Sequence, residues 1–195
     1  MVPMAQKAQA DAAQSKEYKI KAAFLYQFIK FVDWPDGKNA DSNEPIIIGI
    51  IGKDPFGNTI NLITDKKVNN RKLVVKLFHG FDKTNKSEGK DKPRVHKEIE
   101  TIRKCHLLFI CSSEKENLWE IIKGLESSYV LTIGDMNGFL ESGGIINLIK
   151  EEKNIRFEIN NTAAIKAGLK IRSQLLRLAK RVISNDKPKV DKQEK

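Results

Sequence analysis

The feature that most constrains this chain is a series of short, nearly unbroken apolar runs: Ile46 to Ile51, Leu73 to Phe78, Leu107 to Cys111 and Tyr129 to Ile133. Hydrophobicity that is continuous rather than alternating over four to eight residues marks strands covered on both faces. Between the runs lie helix-compatible pieces, Phe56 to Asp65, His96 to Arg103 and Glu114 to Leu125. That β, α, β rhythm implies parallel strands joined by right-handed crossovers. Two later runs, Ile145 to Ile149 and Ile155 to Ile159, flank the polar Glu151-Glu152-Lys153-Asn154, and in the second Ile155, Phe157 and Ile159 alternate with Arg156, Glu158 and Asn160. This pattern predicts an antiparallel hairpin at the sheet edge. The fold class expected is α/β, a layered mixed sheet that is mostly parallel, with a C-terminal antiparallel hairpin and flanking helices.

With 195 residues, 40% hydrophobic and 31% charged, the chain suits one packed domain. Residues 1–15 are Ala/Gln-rich and read as a disordered lead-in, 16–184 as a single domain, and 185–195 as a disordered charged tail. Asp82 to Pro93 is a polar stretch that reads as a solvated loop. No apolar stretch approaches the roughly 18 residues of a membrane span. The formal charge of +10 attracts nucleic acid, anionic lipid or acidic protein surfaces without choosing among them. The opening residues lack a basic segment followed by an apolar one, so either the protein is cytoplasmic or a secretory signal has been removed.

Catalytic constellations are missing. Gly49, Gly52 and Gly57 follow the first strand, where phosphates are often cradled, but their spacing fits neither the dinucleotide fingerprint nor the P-loop, and a tight strand-to-helix turn is the plainer reading. His79, His96, His106, Cys105 and Cys111 have no metal-ligand spacing, and no Ser sits in a nucleophile elbow. We therefore expect no catalytic residue, no metal and no cofactor. If Cys105 and Cys111 bracket one strand, their Cα atoms stand about 20 Å apart, beyond disulfide reach, and both read as small buried hydrophobes.

Two helices carry the candidate binding residues. Tyr18 to Trp34 is free of Gly and Pro, ends at Trp34-Pro35 and holds six aromatics. Spaced at 100° per residue, Ile20, Ala23, Phe24, Phe28, Phe31 and Trp34 share a face, with Ala22, Leu25 and Ile29 outside it, which implies cover on more than one side. A closing helix from about Thr162 to Ser184, capped by Asn160 or Asn161, places Lys166, Lys170, Arg177, Lys180 and Arg181 on one arc and Leu, Ile, Val and Ala residues on the other. Arg172 falls inside the apolar arc, where a guanidinium needs an anionic partner. That partner is either an internal Asp or Glu, or an anionic ligand or partner carboxylate in a groove beside the helix. Phe28, Trp34 and Arg172 are the candidate ligand- or partner-binding residues. The basic arc lacks interleaved aromatics and any DNA- or RNA-binding motif, so nucleic acid is set aside.

The run Tyr18-Lys19-Ile20-Lys21-Ala22-Ala23-Phe24-Leu25-Tyr26-Gln27-Phe28-Ile29-Lys30-Phe31-Val32-Asp33-Trp34-Pro35 resembles the opening signature of the YfiR-like family, DUF4154. Further blocks fit in order: Ile48 to Gly57, Cys105 to Ile110, Val130 to Asp135, Gly138-Phe139, Gly143 to Ile146, Arg156 to Asn160, Ala167 to Leu169 and Leu175-Leu176. The resemblance implies a periplasmic, non-enzymatic repressor that holds an inner-membrane diguanylate cyclase inactive by binding its periplasmic part, lowering cyclic-di-GMP output and biofilm formation. It also implies that a signal peptide has been removed. Redox state affects stability in the family's repressor, and here Cys105 matches a family cysteine with no identified partner. A small-molecule-binding sensory domain, using the groove near Arg172 for an acidic or aromatic ligand, is the alternative. Whether the unit forms a homodimer is left open.

Overall fold

Alternate residues of the central strands bury on opposite faces, and this sets the layering. In β2 (Ile46–Ile51), Ile46, Ile48 and Ile50 join one core while Ile51 joins a second. In β5 (Leu107–Ile110), Leu107 and Phe109 belong to the first core and Leu108 and Ile110 to the second. The computed structural model describes residues 4–35, 38, 44–81 and 96–184, of which 4–11 as backbone alone. The tail from 185 and the polar loop expected over 82–93 lie outside the described residues.

The main sheet has eight strands. β4 (Arg71–Phe78), β2, β5, β6 (Leu131–Gly134) and β7 (Ile146–Glu151) run parallel in that spatial order. β8 (Asn154–Asn160) returns antiparallel to β7, completing the predicted hairpin, and β10 (Arg181–Ile183) lies parallel beside β8. The hairpin is thus one strand in from the edge. At the opposite edge, β3 (Lys67–Val68) pairs antiparallel with β4. The turn between them is Asn69-Asn70, both at positive φ (49° and 66°), a two-residue geometry that Asn tolerates. β4 departs from the continuous-burial expectation: Arg71, Leu73 and Phe78 are buried, and Lys72, Val74, Lys76 and Leu77 are exposed. It lies one strand from the edge, where one face is less covered.

The first core packs α1 (Met4–Phe31), α2 (Asn61–Thr64), α5 (Asn161–Lys166) and α6 (Ser173–Leu178) against one face of the sheet; α3 (Ile99–Ile102) and α4 (Leu118–Gly124) cover the other. α1 takes in most of the segment read as a lead-in. Its core side includes Ala22, Leu25, Phe28 and Ile29, with Ile20 and Ala23 exposed, so three residues that the helical wheel put outside the stripe pack together with Phe28 from inside it. Phe24, Phe28 and Phe157 form a ring triad with centroids 5.1–5.7 Å apart.

The long closing helix does not exist. Asn160 caps α5, its Oδ1 accepting from the Ala163 amide at 2.9 Å, but Gly168 (φ 72°) ends that helix within two turns. The Gly168 amide donates to Ile165 O and the Leu169 amide to Ala164 O, the paired bonds of a glycine-terminated helix. The chain then forms β9 (Lys170–Ile171), the short α6 and β10. The arc containing Arg172 disappears with the helix.

Candidate partner-binding site

Where α1 ends, the chain turns extended as β1 (Val32–Asp33) and pairs antiparallel with β9, Val32 opposite Ile171 and Asp33 opposite Lys170. The Arg172 amide adds a bond to Phe31 O at 3.0 Å. This ribbon brings together residues 139 positions apart: Arg172 donates through Nε (3.0 Å) and Nη2 (2.7 Å) to Asp33 Oδ1. Both side chains remain about half exposed, 48% and 41%. The Asp33 carboxylate holds the Arg172 guanidinium above its ordinary pKa. The internal carboxylate anticipated for Arg172 is therefore Asp33, in a rim pair rather than a buried one.

Behind the pair is a cavity of about 260 Å³ whose lining includes Lys30, Trp34, Arg71 and His106 as well as Asp33 and Arg172. Trp34 meets His106 edge to face, centroids 5.9 Å apart. His106 Nδ1 accepts from the Ile47 amide at 3.2 Å, and Arg71 Nη2 stands 3.0 Å from Nε2 while Arg71 Nε donates to Glu44 O. Burial, then the Arg71 and Lys38 charges, push His106 down to about 4, so it is neutral at ordinary pH. The cavity is an aromatic-walled recess in which Lys30, Arg71 and Arg172 outnumber Asp33. It suits an acidic or aromatic group presented from outside.

The structure unites Trp34 and Arg172 in this recess and places Phe28 elsewhere. Phe28 is fully buried in the ring triad and reaches no surface. Sequence reasoning missed Asp33, Arg71 and His106 as its companions. Asp33 stood next to Trp34 in the sequence, and the Asn69-Asn70 pair marked the turn that delivers Arg71.

The crevice beyond the carboxyl ends of parallel strands, where doubly wound sheets usually hold ligands, is filled by the chain itself. Lys21 Nζ reaches Asp135 Oδ2 at 2.7 Å and Glu17 Oε1 at 2.6 Å, and the Tyr18 hydroxyl donates to Asp135 at 2.8 Å. Gly52 (φ 99°) has no room for a side chain, since a Cβ there would meet Ser113 Oγ at 2.5 Å, and the Lys53 amide donates to that same oxygen. Gly49 and Gly52 serve close packing, whereas a Cβ at Gly57 would meet open space. Cys105 and Cys111 are free and buried, and burial pushes their thiols up to about 11 and 12.

Residues 18–180 match the DUF4154 family, described as YfiR/HmsC-like. The chain belongs to the YfiR/HmsC-like family. Membership supports a periplasmic regulatory role in general terms. Among solved structures, this YfiR/HmsC-like chain is similar to a conserved domain protein from Vibrio cholerae O1 biovar eltor str. N16961, with 12% identity, 85% of this chain and 60% of that one covered, and a TM-score of 0.54. That likeness is one of fold, and this chain spans about 60% of the Vibrio protein's length. The ABC domain in complex with L-Trp from Streptococcus pneumonia matches at a TM-score of 0.48, with 13% identity over 71% of this chain and 55% of that one. No curated protein matches. Among the described residues, no helix of the YfiR/HmsC-like chain is long and apolar enough to cross a membrane.

Proposed function

We propose that this YfiR/HmsC-like domain is a periplasmic regulatory binding protein that restrains an inner-membrane signalling enzyme such as a diguanylate cyclase by protein–protein contact, using the recess of Trp34, Asp33 and Arg172. The observation that carries this reading is the family match across residues 18–180. The recess supports it, because its rim pair of Asp33 and Arg172 is exposed and Lys30 and Arg71 line it as well. The filled crevice at the strand ends supports a binding role over catalysis. Exposed ion pairs contribute little to stability, roughly 0–1 kcal/mol, so Asp33 and Arg172 are free to serve recognition.

The test measures binding of the purified chain to the periplasmic domain of membrane diguanylate cyclases from the same cell. Arg172→Ala should leave the melting temperature within about 3 °C, yet weaken binding at least ten-fold and raise cyclic-di-GMP in cells. Undiminished binding by Arg172→Ala removes this recess from the interface. Failure to bind any such domain, or retention of the native product in the cytoplasm, overturns the proposal.

A further inference from the structure

A second recess lies where β6 meets the start of the hairpin, and it shares no lining residue with the first. It begins as a gap in the sheet. β5 and β6 pair at four positions, but β6 and β7 pair at two only, Ile133 with Ile146 and Gly134 with Asn147. Alongside Leu131 and Thr132 no part of β7 is in register, and the space opens between α4 and α5 as a half-open groove of about 620 Å³. That volume falls in the range of small-molecule sites.

Its lining has the make-up of such a site. Ile122, Leu140 and Ile183 supply apolar surface, and the Trp119 ring stands at the mouth, 49% exposed. At the floor, Thr132 is 4% exposed and its Oγ1 accepts from the Ile145 amide at 3.1 Å. A hydroxyl that accepts one bond still has a proton to donate, and the structure gives that proton no acceptor among the described residues. Of the charged lining residues, Lys123 pairs with Glu126 at 2.9 Å and Glu141 with Arg181 at 3.0 Å, which leaves Lys166 as the charge without an ion pair among the described residues.

We propose that this groove binds a small amphipathic organic anion, its apolar body against Trp119, Ile122 and Leu140, an acceptor atom on the Thr132 hydroxyl and its anionic group on Lys166. The site has a physical route to the first recess: Ala163, Lys166 and Ala167 line it, and after Gly168 the chain passes straight into β9 and Arg172. The proposal stands on residues separate from those of the partner-binding reading, so either can fail without the other.

The probe is 8-anilino-1-naphthalenesulfonate, an apolar ring system bearing one anion, titrated into the full chain while energy transfer from tryptophan is followed. Transfer should saturate at one site and should fall sharply in Trp119→Phe, since the other tryptophan, Trp34, lines the first recess. Thr132→Val should weaken the probe about five-fold and Lys166→Gln about three-fold, and Ala163→Leu, which fills the groove, should abolish saturable binding. Decanoate should displace the probe more effectively than decanol. Melting temperatures establish that each variant is folded, and where Ala163→Leu is not, the Thr132 and Lys166 variants decide. Affinity unchanged in both of those variants, or equal displacement by decanoate and decanol, overturns the proposal.

Discussion

Lys21→Met tests how the strand-end crevice is held shut. The Lys21 and Asp135 side chains are each 6% exposed and 2.7 Å apart, so at an effective dielectric near 20 their gross attraction is about 6 kcal/mol. Desolvation offsets much of that, and a well-formed buried pair contributes little net stability over an apolar pair of the same shape. Removing one partner is different. Without Lys21, the Asp135 carboxylate stays buried with the Tyr18 hydroxyl as its donor, a loss of about 3–5 kcal/mol. For a domain of this size that is a fall in Tm of roughly 10 °C. Asp135→Ala should be milder, about 1–3 kcal/mol, because Lys21 keeps Glu17 at 2.6 Å. Lys21→Met combined with Asp135→Ala should lose less than the sum of the singles by more than about 1 kcal/mol. Urea unfolding followed by circular dichroism measures all three. Additive losses, or Lys21→Met within about 1 kcal/mol of the parent, would refute the picture of a coupled buried pair.

Phe28→Ala should cost about 3–5 kcal/mol in the same assay, since its ring is fully buried between Phe24 and Phe157. The loss should be one of stability, with partner affinity per folded molecule unchanged. His106 sits near 4 folded against about 6.5 unfolded, so between those values the unfolded state binds the extra proton and stability falls as pH drops, by up to about 3 kcal/mol. His106→Gln should flatten that part of a stability–pH curve. Asn160→Ala removes the α5 cap and a side-chain bond to Leu140 O, and should lower stability by about 1–2 kcal/mol in urea unfolding.

Strands buried on both faces announce themselves because few polar side chains are tolerated there, and β2 was legible to the residue for that reason. The hairpin was legible because alternation and a polar turn coincide. The closing helix was misread because amphipathic spacing from Thr162 to Ser184 satisfies a helical wheel whether or not the backbone stays helical. One glycine decided otherwise, and Gly168 at φ 72° was the available signal. For α1, the wheel could not tell which of two apolar sides faces the sheet, because Lys21 points inward to a partner 114 residues away. The recess was half legible. Trp34 and Arg172 stood out as an aromatic at a helix end and a cation in apolar company, but their meeting depends on β1 and β9, two-residue strands too short to leave a pattern.

The β1–β9 ribbon also has a bearing on when the molecule becomes competent. It joins strands whose charged residues lie 139 positions apart, so the surface carrying Asp33 and Arg172 comes into being only once the chain between them has been made and has folded back. A product that stops short of β9 lacks the Arg172 half of that surface, so under the proposed function it would fail to capture a partner without any dedicated inhibitory segment.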